Sequence, residues 1–225
     1  MIIAIDGPAA SGKSTTARGV AKALRCVYLD TGAMYRAVTL AVLRAGIDPK
    51  ERDAIKDLLP NISLSFRTLD SETRIFLGDE DVSESIRGVE VTRHVSAVSA
   101  LPEVREKMVA LQREIAGEHD SVVEGRDVGT VVFPHANFKF FLVADYETRA
   151  GRRQKDLEAL GIRQTIDEIV SDLKRRDQKD SGRIYSPLVK AEDAQEVDTT
   201  GLTIEQQIDF IVAHVRNRRG SGRSR

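Results

Sequence analysis

The sequence predicts an α/β fold in which a five-stranded parallel sheet is flanked by helices, with a small antiparallel sheet inserted and a mobile lid. Short apolar runs alternate with amphipathic helical patterns along most of the chain, as in a parallel sheet covered on both faces. Segment 61–85 instead repeats its apolar residues with a period of two, which predicts the antiparallel sheet. Segment 146–187 is charged and rich in arginine, with little that could form its own core, and this predicts the lid.

The predicted strands and helices follow from apolar content and spacing. The short runs that alternate with helical patterns predict the strands Met1–Ile5, Val27–Asp30, Ser121–Glu124, Phe138–Val143 and Gln195–Asp198. Apolar spacings of three and four, or a capping pair ahead of them, predict helices over Ser14–Leu24, Arg36–Arg44, Leu101–Ile115 and the residues after Thr203.

These elements divide the chain into a discontinuous core and its insertions. The core comprises 1–60, 86–145 and 188–225, interrupted by the small sheet at 61–85 and the lid at 146–187. The last residues, 216–225, are basic, and we expect them to form a frayed terminus.

The composition and charge indicate the general class of protein. The 225 residues are 41% hydrophobic and 31% charged, which is typical of a globular chain with a full core. The net charge of −1 disfavours tight binding to nucleic acid or to a membrane surface, and no apolar run reaches the roughly 18 residues of a membrane span. The single cysteine, Cys26, excludes an intrachain disulfide. We therefore expect a cytoplasmic protein.

Residues 7–14, GPAASGKS, match the phosphate-binding pattern G-x-x-x-x-G-K-[ST] between a predicted strand and a predicted helix. In such a loop the backbone N–H groups cradle phosphates, the lysine reaches the β- and γ-phosphates, and the Ser14 hydroxyl can bind Mg²⁺. The alternative is a chance glycine-rich turn. The pattern predicts binding of ATP, with Mg²⁺, by Gly7, Pro8, Ala9, Ala10, Ser11, Gly12, Lys13, Ser14 and Thr15.

A loop of this kind occurs in ATPases, GTPases and kinases. The sequence contains no N-K-x-D motif of the kind that reads guanine, and this favours a kinase. A kinase acting on an anionic acceptor needs arginines near the donor phosphates. Arg36 and Arg126 follow two predicted strands, whose carboxyl ends meet at one edge of the sheet, and could clamp a phosphate there. The alternative is that each forms a structural ion pair, with Asp30 or Asp127.

Four stretches together resemble the bacterial cytidylate kinases: GPAASGKST, LDTGAMYR, EGRDVGTVVFP, and RRDQKDSGR followed by SPL. The resemblance runs nearly end to end and is much more specific than the phosphate loop alone. It implies a P-loop fold and transfer of the γ-phosphoryl group of ATP to CMP or dCMP. It also implies that 61–85 belongs to the region that binds the nucleoside monophosphate and that 86–145 carries acceptor-binding elements.

The resemblance assigns binding roles residue by residue. The acceptor nucleotide is held by Thr31, Tyr35, Arg36 and Arg126, and its sugar by Arg176, Asp180 and Arg183. The cytosine edge is read by Ser96, Arg105 and Asp127. A carboxylate can accept from the N4 amino group of cytosine and an arginine can donate to O2 and N3, so uracil presents the wrong pattern. Alternatively, Ser96 caps a helix and Arg105 is solvated.

Arg149, Arg152 and Arg153 share one face of a predicted lid helix. That face could close over the triphosphate, or it could be a solvated face paired with Glu147 and Asp156. The residues predicted to act in catalysis are Lys13, Arg126, Asp30, Arg149 and Arg153, with Asp30 orienting water around the metal.

Two positions depart from the commonest pattern of these kinases. Ser14 supplies a hydroxyl where a glycine is frequent, which strengthens the case for Mg²⁺ binding. Glu124 precedes Gly-Arg-Asp where some relatives have aspartate, so its part in magnesium binding stays open. The closest competing function is a kinase for AMP, UMP or a non-nucleotide acid, and a regulatory ATP-binding module is a second. We expect a monomer.

Overall fold

The computed structural model describes residues 1–69, 72–159 and 161–221 of the chain. The chain divides into two compact units, one formed by Met1–Leu29 with Ala116–Arg225 and the other by Asp30–Ile115. The strands are β1 Ile2–Asp6, β2 Val27–Asp30, β3 Leu64–Leu69, β4 Glu72–Leu77, β5 Glu80–Asp81, β6 Ser121–Gly125, β7 Phe138–Val143 and β8 Gln195–Asp198. The α-helices are α1 Lys13–Leu24, α2 Thr31–Arg44, α3 Arg52–Leu58, α4 Val89–Val98, α5 Pro102–Gly117, α6 Tyr146–Ala159, α7 Ile166–Ser181 and α8 Ile204–Ser221.

The large sheet has five strands in the order β2-β6-β1-β7-β8. β1 pairs in parallel with β6 on one side and with β7 on the other, and β7 pairs in parallel with β8. The five-stranded parallel sheet predicted from the sequence is therefore confirmed. The order places the end of β1, where the phosphate-binding motif begins, in the middle of the sheet.

The core of the first unit lies against one face of this sheet. Ile3 and Ile5 of β1 pack in one cluster with Val20 of α1 and with Ile211 and Val215 of α8. The intervening β1 residue is also fully buried, so both faces of the strand are covered. This double burial explains why the strand has an almost uninterrupted apolar sequence.

The second unit contains α2 to α5 and a separate sheet of three antiparallel strands in the order β3-β4-β5. The small antiparallel sheet predicted within 61–85 is thus confirmed. α2 begins at Thr31, earlier than the predicted start at Arg36, because the Asp30 carboxylate caps the helix by accepting the N–H of Ala33 at 2.9 Å. Asp30 therefore has a structural task that its predicted catalytic role did not include.

The lid segment consists of α6 and α7, and it has more of a core than the sequence suggested. Ala150 and Leu157 of α6 pack with Ile169 and Leu173 of α7, and Ala9 of the phosphate loop completes the cluster. α7 starts with a reciprocal capping box formed by Thr165 and Glu168. The expectation of little internal core was therefore wrong, whereas the mobility of the lid stays a prediction.

The C-terminal helix extends further than expected. α8 continues to Ser221 and so includes the first part of the basic segment that was expected to be a frayed terminus. Residues 222–225 of that segment lie outside the described residues. Among the helices that the structure describes, none combines the length and apolarity needed to cross a membrane.

Candidate active site

The phosphate-binding motif forms a loop between β1 and α1, as its spacing predicts. Gly7 and Gly12 have φ angles of +152° and +90°, which other residues rarely adopt. A Cβ atom on Gly7 would also lie 2.3 Å from the carbonyl oxygen of Leu142, so a side chain is excluded there on steric grounds. α1 begins at Lys13, directly after the loop, and its N-terminus supplies a favourable site for anions.

Three side chains hold the loop through its carbonyl oxygens. The Lys13 Nζ donates to Pro8 at 3.1 Å, and the Arg149 Nε donates to Ala9 at 2.8 Å. The Thr199 Oγ1 donates to the Ser11 carbonyl at 2.9 Å. The loop is thus fixed by its own lysine, by a lid arginine and by a threonine that follows β8.

Ser14 and Glu124 form an oxygen-rich pair beside the loop. The Ser14 Oγ donates to the Glu124 Oε2 at 2.8 Å, and the Tyr28 hydroxyl donates to the other carboxylate oxygen at 2.5 Å. Glu124 is buried at the end of β6, whereas Ser14 is exposed. Hydroxyl and carboxylate oxygens are the ligands that Mg²⁺ prefers, so these residues fit a magnesium ion bound together with ATP. Glu124 therefore contacts the residue that directly follows the motif lysine.

Asp6, at the end of β1, links the phosphate loop to the segment after β6. Its carboxylate accepts the N–H groups of Val128 at 2.9 Å and Gly129 at 2.7 Å, directly after Arg126 and Asp127. Burial raises the pKa of Asp6 to about 6, although both N–H groups oppose the shift. The sequence analysis missed this residue. Its signal is a carboxylate ending an apolar strand immediately before the glycine-rich motif.

Four residues predicted to bind the acceptor nucleotide form one charged cluster in the first unit. Asp180, which is buried, lies 3.1 Å from Arg126, 2.6 Å from Arg183 and 4.0 Å from Arg176. Burial by itself would raise the pKa of Asp180, but the three guanidinium groups hold it below its usual value. Arg126 therefore pairs with Asp180, and not with Asp127 as the structural alternative had it.

The other acceptor-binding residues predicted on helices lie in the second unit. Arg105 is buried with its guanidinium 5.3 Å from the centre of the Tyr35 ring, so the alternative of a solvated arginine is wrong. The Arg36 Nη1 donates to the Thr92 Oγ1 at 3.0 Å, and not to Asp30. Ser96 lies within α4, so the alternative that it caps a helix is wrong.

The arginine-rich face of α6 is only partly solvated. Arg149 is buried and donates from both Nη atoms to the Asp177 carboxylate, at 2.7 and 2.9 Å. Arg152 donates to the hydroxyl and carbonyl oxygens of Thr199, at 3.0 and 2.7 Å. The alternative, that these two arginines are solvated and pair with Glu147 and Asp156, is therefore wrong. Arg153, on the same face, is half-buried.

Asp177 and Thr199 were not found in the sequence analysis. For Asp177 a signal exists, because Ile169, Leu173 and Asp177 follow one another at intervals of four on α7. A carboxylate that continues an apolar helical stripe indicates a buried partner. For Thr199 no local signal exists, because its partners lie far away in the sequence.

Comparison with known proteins agrees with these observations. The family model described as cytidylate kinase matches residues 3–217. The cytidylate kinase of Clostridioides difficile (strain 630) is 45% identical over 215 residues, covering 96% of this chain and 98% of that protein. The cytidylate kinase of Mycobacterium avium (strain 104) is 50% identical over 219 residues, covering 97% and 96%.

Among solved structures, an uncharacterized protein from Eubacterium ventriosum ATCC 27560 is similar in fold, with a TM-score of 0.53. It is 12% identical in sequence, and the match covers 96% of this chain and 98% of that one. This likeness concerns the fold alone. The matching family model and the relatives of nearly equal length show that the chain belongs to the cytidylate kinase family.

Proposed function

We propose that this protein is a cytidylate kinase that transfers the γ-phosphoryl group of ATP to CMP or dCMP, giving ADP with CDP or dCDP. The observation that carries the proposal is the match of the family model to residues 3–217, almost the whole chain. The phosphate loop supports the donor part of the reaction. The cluster of Arg126, Arg176 and Arg183 around Asp180 supports an anionic acceptor.

The chemistry requires alignment and charge stabilisation rather than a covalent intermediate. The transition state of phosphoryl transfer is loose, so positioned cations account for most of the catalysis. We propose that Lys13 and Arg126, together with arginines of the lid, stabilise the charge on the transferred group. The acceptor phosphate has a second pKa of about 6 and is largely ionised near neutral pH, so no general base is needed.

We propose that Ser14 and Glu124 hold Mg²⁺ together with ATP. When bound, the ion would neutralise phosphate charge and orient the phosphate oxygens. The hydrogen bond between the Ser14 hydroxyl and the Glu124 carboxylate supports this assignment. Asp30, whose carboxylate caps α2, keeps the proposed role of orienting water near the metal.

Following the resemblance to cytidylate kinases, we also propose which residues bind the acceptor nucleotide. The contacts to the nucleotide, its base and its sugar are proposed for Thr31, Tyr35, Arg36, Ser96, Arg105, Arg126, Asp127, Arg176, Asp180 and Arg183. The mutual pairing of Arg126, Asp180 and Arg183 supports the sugar-binding part, because a cluster held together in this way has fixed donors. Arg153 is proposed to neutralise phosphate charge from the lid, and Arg149 to act on the phosphate loop that it contacts.

The test is ADP formation from MgATP with CMP, dCMP, UMP, AMP and GMP, each at the same concentration. We expect a clear preference for CMP and dCMP. The Lys13→Ala variant is the control, and its turnover should fall by at least roughly 10²-fold, comparable to the loss of one oxyanion donor. Near-wild-type turnover in this variant would contradict the assignment of the loop.

Other outcomes of this assay identify the competing functions. Preference for AMP or UMP would indicate a kinase with another nucleotide acceptor. ATP binding with no turnover on any of the five acceptors would favour a kinase for a different acid or a regulatory module.

We further propose that the protein acts as a cytoplasmic monomer without nucleic-acid or membrane partners. The near-neutral net charge supports the absence of polyanionic partners, because tight non-specific binding needs a strong positive field. The single cysteine is consistent with a reducing compartment.

A further inference from the structure

Arg149 connects the two lid helices to the phosphate loop. Its Nη atoms donate to the two carboxylate oxygens of Asp177, at 2.7 and 2.9 Å, and its Nε donates to the Ala9 carbonyl at 2.8 Å. The side chain of Arg149 is only 4% exposed and that of Asp177 only 15%. The guanidinium therefore uses all three of its nitrogen atoms to contact protein groups.

The orientation of Arg149 depends on Asp177. A bidentate pair between a guanidinium and a carboxylate fixes both the position and the plane of the guanidinium. When such a pair is buried, removing one partner leaves the other charge without compensation, and the remaining side chain has to rearrange. Loss of the Asp177 charge is therefore expected to release the bond from Arg149 to Ala9.

The loop needs support at this point of the backbone. Ala10, which follows Ala9, has a φ of +58°, in the left-handed region that favours glycine. A residue with a Cβ atom keeps such a conformation only where the surrounding structure holds it. Ala9 is held by its carbonyl through Arg149 and by its methyl group through the apolar cluster of α6 and α7.

We propose that Asp177 is a positioning residue for the phosphate loop. Through Arg149 it fixes the Ala9 carbonyl and so keeps the Ala9-Ala10 segment in the conformation that binds the β-phosphate. The lid thus contributes to nucleotide binding by fixing the backbone conformation of the phosphate loop. The inference rests on the proposed function only in requiring that the loop binds an adenine nucleotide.

The test is direct binding of ADP, without acceptor, to the full-length Asp177→Asn variant by calorimetry. ADP has no γ-phosphate, so a contact between Arg149 and that group would not affect its affinity. We expect the Kd for ADP to rise about tenfold, which is the effect of losing one well-placed interaction.

The matched control is Asp172→Asn on the same helix. Asp172 pairs with Arg175 at 2.7 Å, but both side chains are at least half exposed. Exposed pairs of this kind contribute little, so ADP affinity should be unchanged. If Asp177→Asn does not fold, as judged by circular dichroism, Arg149→Lys replaces it, because a lysine keeps the charge opposite Asp177 but cannot make the three bonds of the guanidinium.

A second variant distinguishes support of the loop from general destabilisation. Ala10→Gly, added to Asp177→Asn, should recover at least about threefold of the lost ADP affinity, because glycine adopts positive φ without support. ADP affinity that is unchanged in Asp177→Asn would overturn the proposal, and so would a loss that Ala10→Gly does not reverse. Because no acceptor is present, failure of the protein to phosphorylate CMP would leave this result intact.

Discussion

The residues that form the site differ in how readily the sequence alone identifies them. Lys13 and Ser14 were predicted because the loop pattern is local, and the backbone geometry of eight consecutive residues determines it. Asp6 and Asp177 were missed because their partners are 122 and 28 residues away, at Val128 and Arg149. A buried carboxylate is recognised only when the fold shows which donors surround it.

Asp6 makes stability depend on pH in a direction opposite to that of most carboxylates. Its pKa is about 6 in the folded chain against 3.8 for an ordinary aspartate. The folded state therefore binds more protons between these values, and the contribution of Asp6 to stability, present below about pH 4, is lost as the pH rises through 6. We therefore compare the free energy of unfolding of the wild type with that of Asp6→Asn. The difference, wild type minus variant, should fall by on the order of 2 to 3 kcal/mol between about pH 4 and pH 6.

Urea unfolding of both proteins at several pH values between 4 and 7 measures this difference. The other carboxylates are present in both proteins, so their contribution to the pH dependence cancels in the difference. Curves of stability against pH that run parallel would show that Asp6 does not titrate in this range.

Asp127 is the residue we expect to separate cytosine from uracil. It is buried, and its carboxylate can only accept hydrogen bonds, whereas uracil offers a second carbonyl oxygen in place of the amino group of cytosine. Asp127→Asn should reduce the ratio of kcat/KM for CMP over UMP by about tenfold or more, in the range of one base-reading contact. An unchanged ratio, with both values lowered equally, would assign Asp127 to the architecture of the turn and not to recognition.

At the scale of elements, the strands were predicted well and the helix starts less well. Strands β2, β7 and β8 have the predicted bounds. For β7 the reason is clear, because it is a short, buried and mostly apolar run with distinct ends. The start of α2 was missed, because Thr31 and Gly32 show no helical pattern and the helix begins there through the Asp30 cap. Capping interactions thus shift a boundary that apolar spacing alone places too late.

The lid should change its dynamics when the site is filled. Closure excludes water from the reacting phosphates, so we expect α6 and α7 to open locally in the free protein and to be protected when ATP and CMP are bound. Hydrogen exchange of residues 146–187, followed by mass spectrometry with and without both nucleotides, measures this directly. Exchange that is equally slow in the two states would argue against a closing lid, and β1 provides an internal reference that should stay protected throughout.

At the scale of the whole molecule, the sequence predicted the class of fold and the family, because the motifs lie at the ends of strands in the right order. It did not predict that Asp30–Ile115 forms one compact unit, since compactness depends on contacts among helices distant in sequence. Arg105 illustrates the difference. From the helical pattern alone, Arg105 is expected to be solvated. Only the packing of α5 with α2 places its guanidinium over the Tyr35 ring.

The monomeric state is testable at this scale. Static light scattering should give a mass near 24.9 kDa over a wide range of concentration, with and without nucleotides. A mass that doubles with concentration would indicate a dimer. It would also require a search for an interface on the exposed surface of either unit.

The central position of β1 has a consequence for biosynthesis. The strand is translated long before its two neighbours in the sheet, β6 and β7, which begin only at Ser121 and Phe138. Until those strands have been translated, an apolar strand and an unformed loop have no sheet to join, and such surfaces attract chaperones. A translation product truncated before Val143 should therefore bind no nucleotide, and binding of ATP would report that β1 has joined its two neighbours in the sheet.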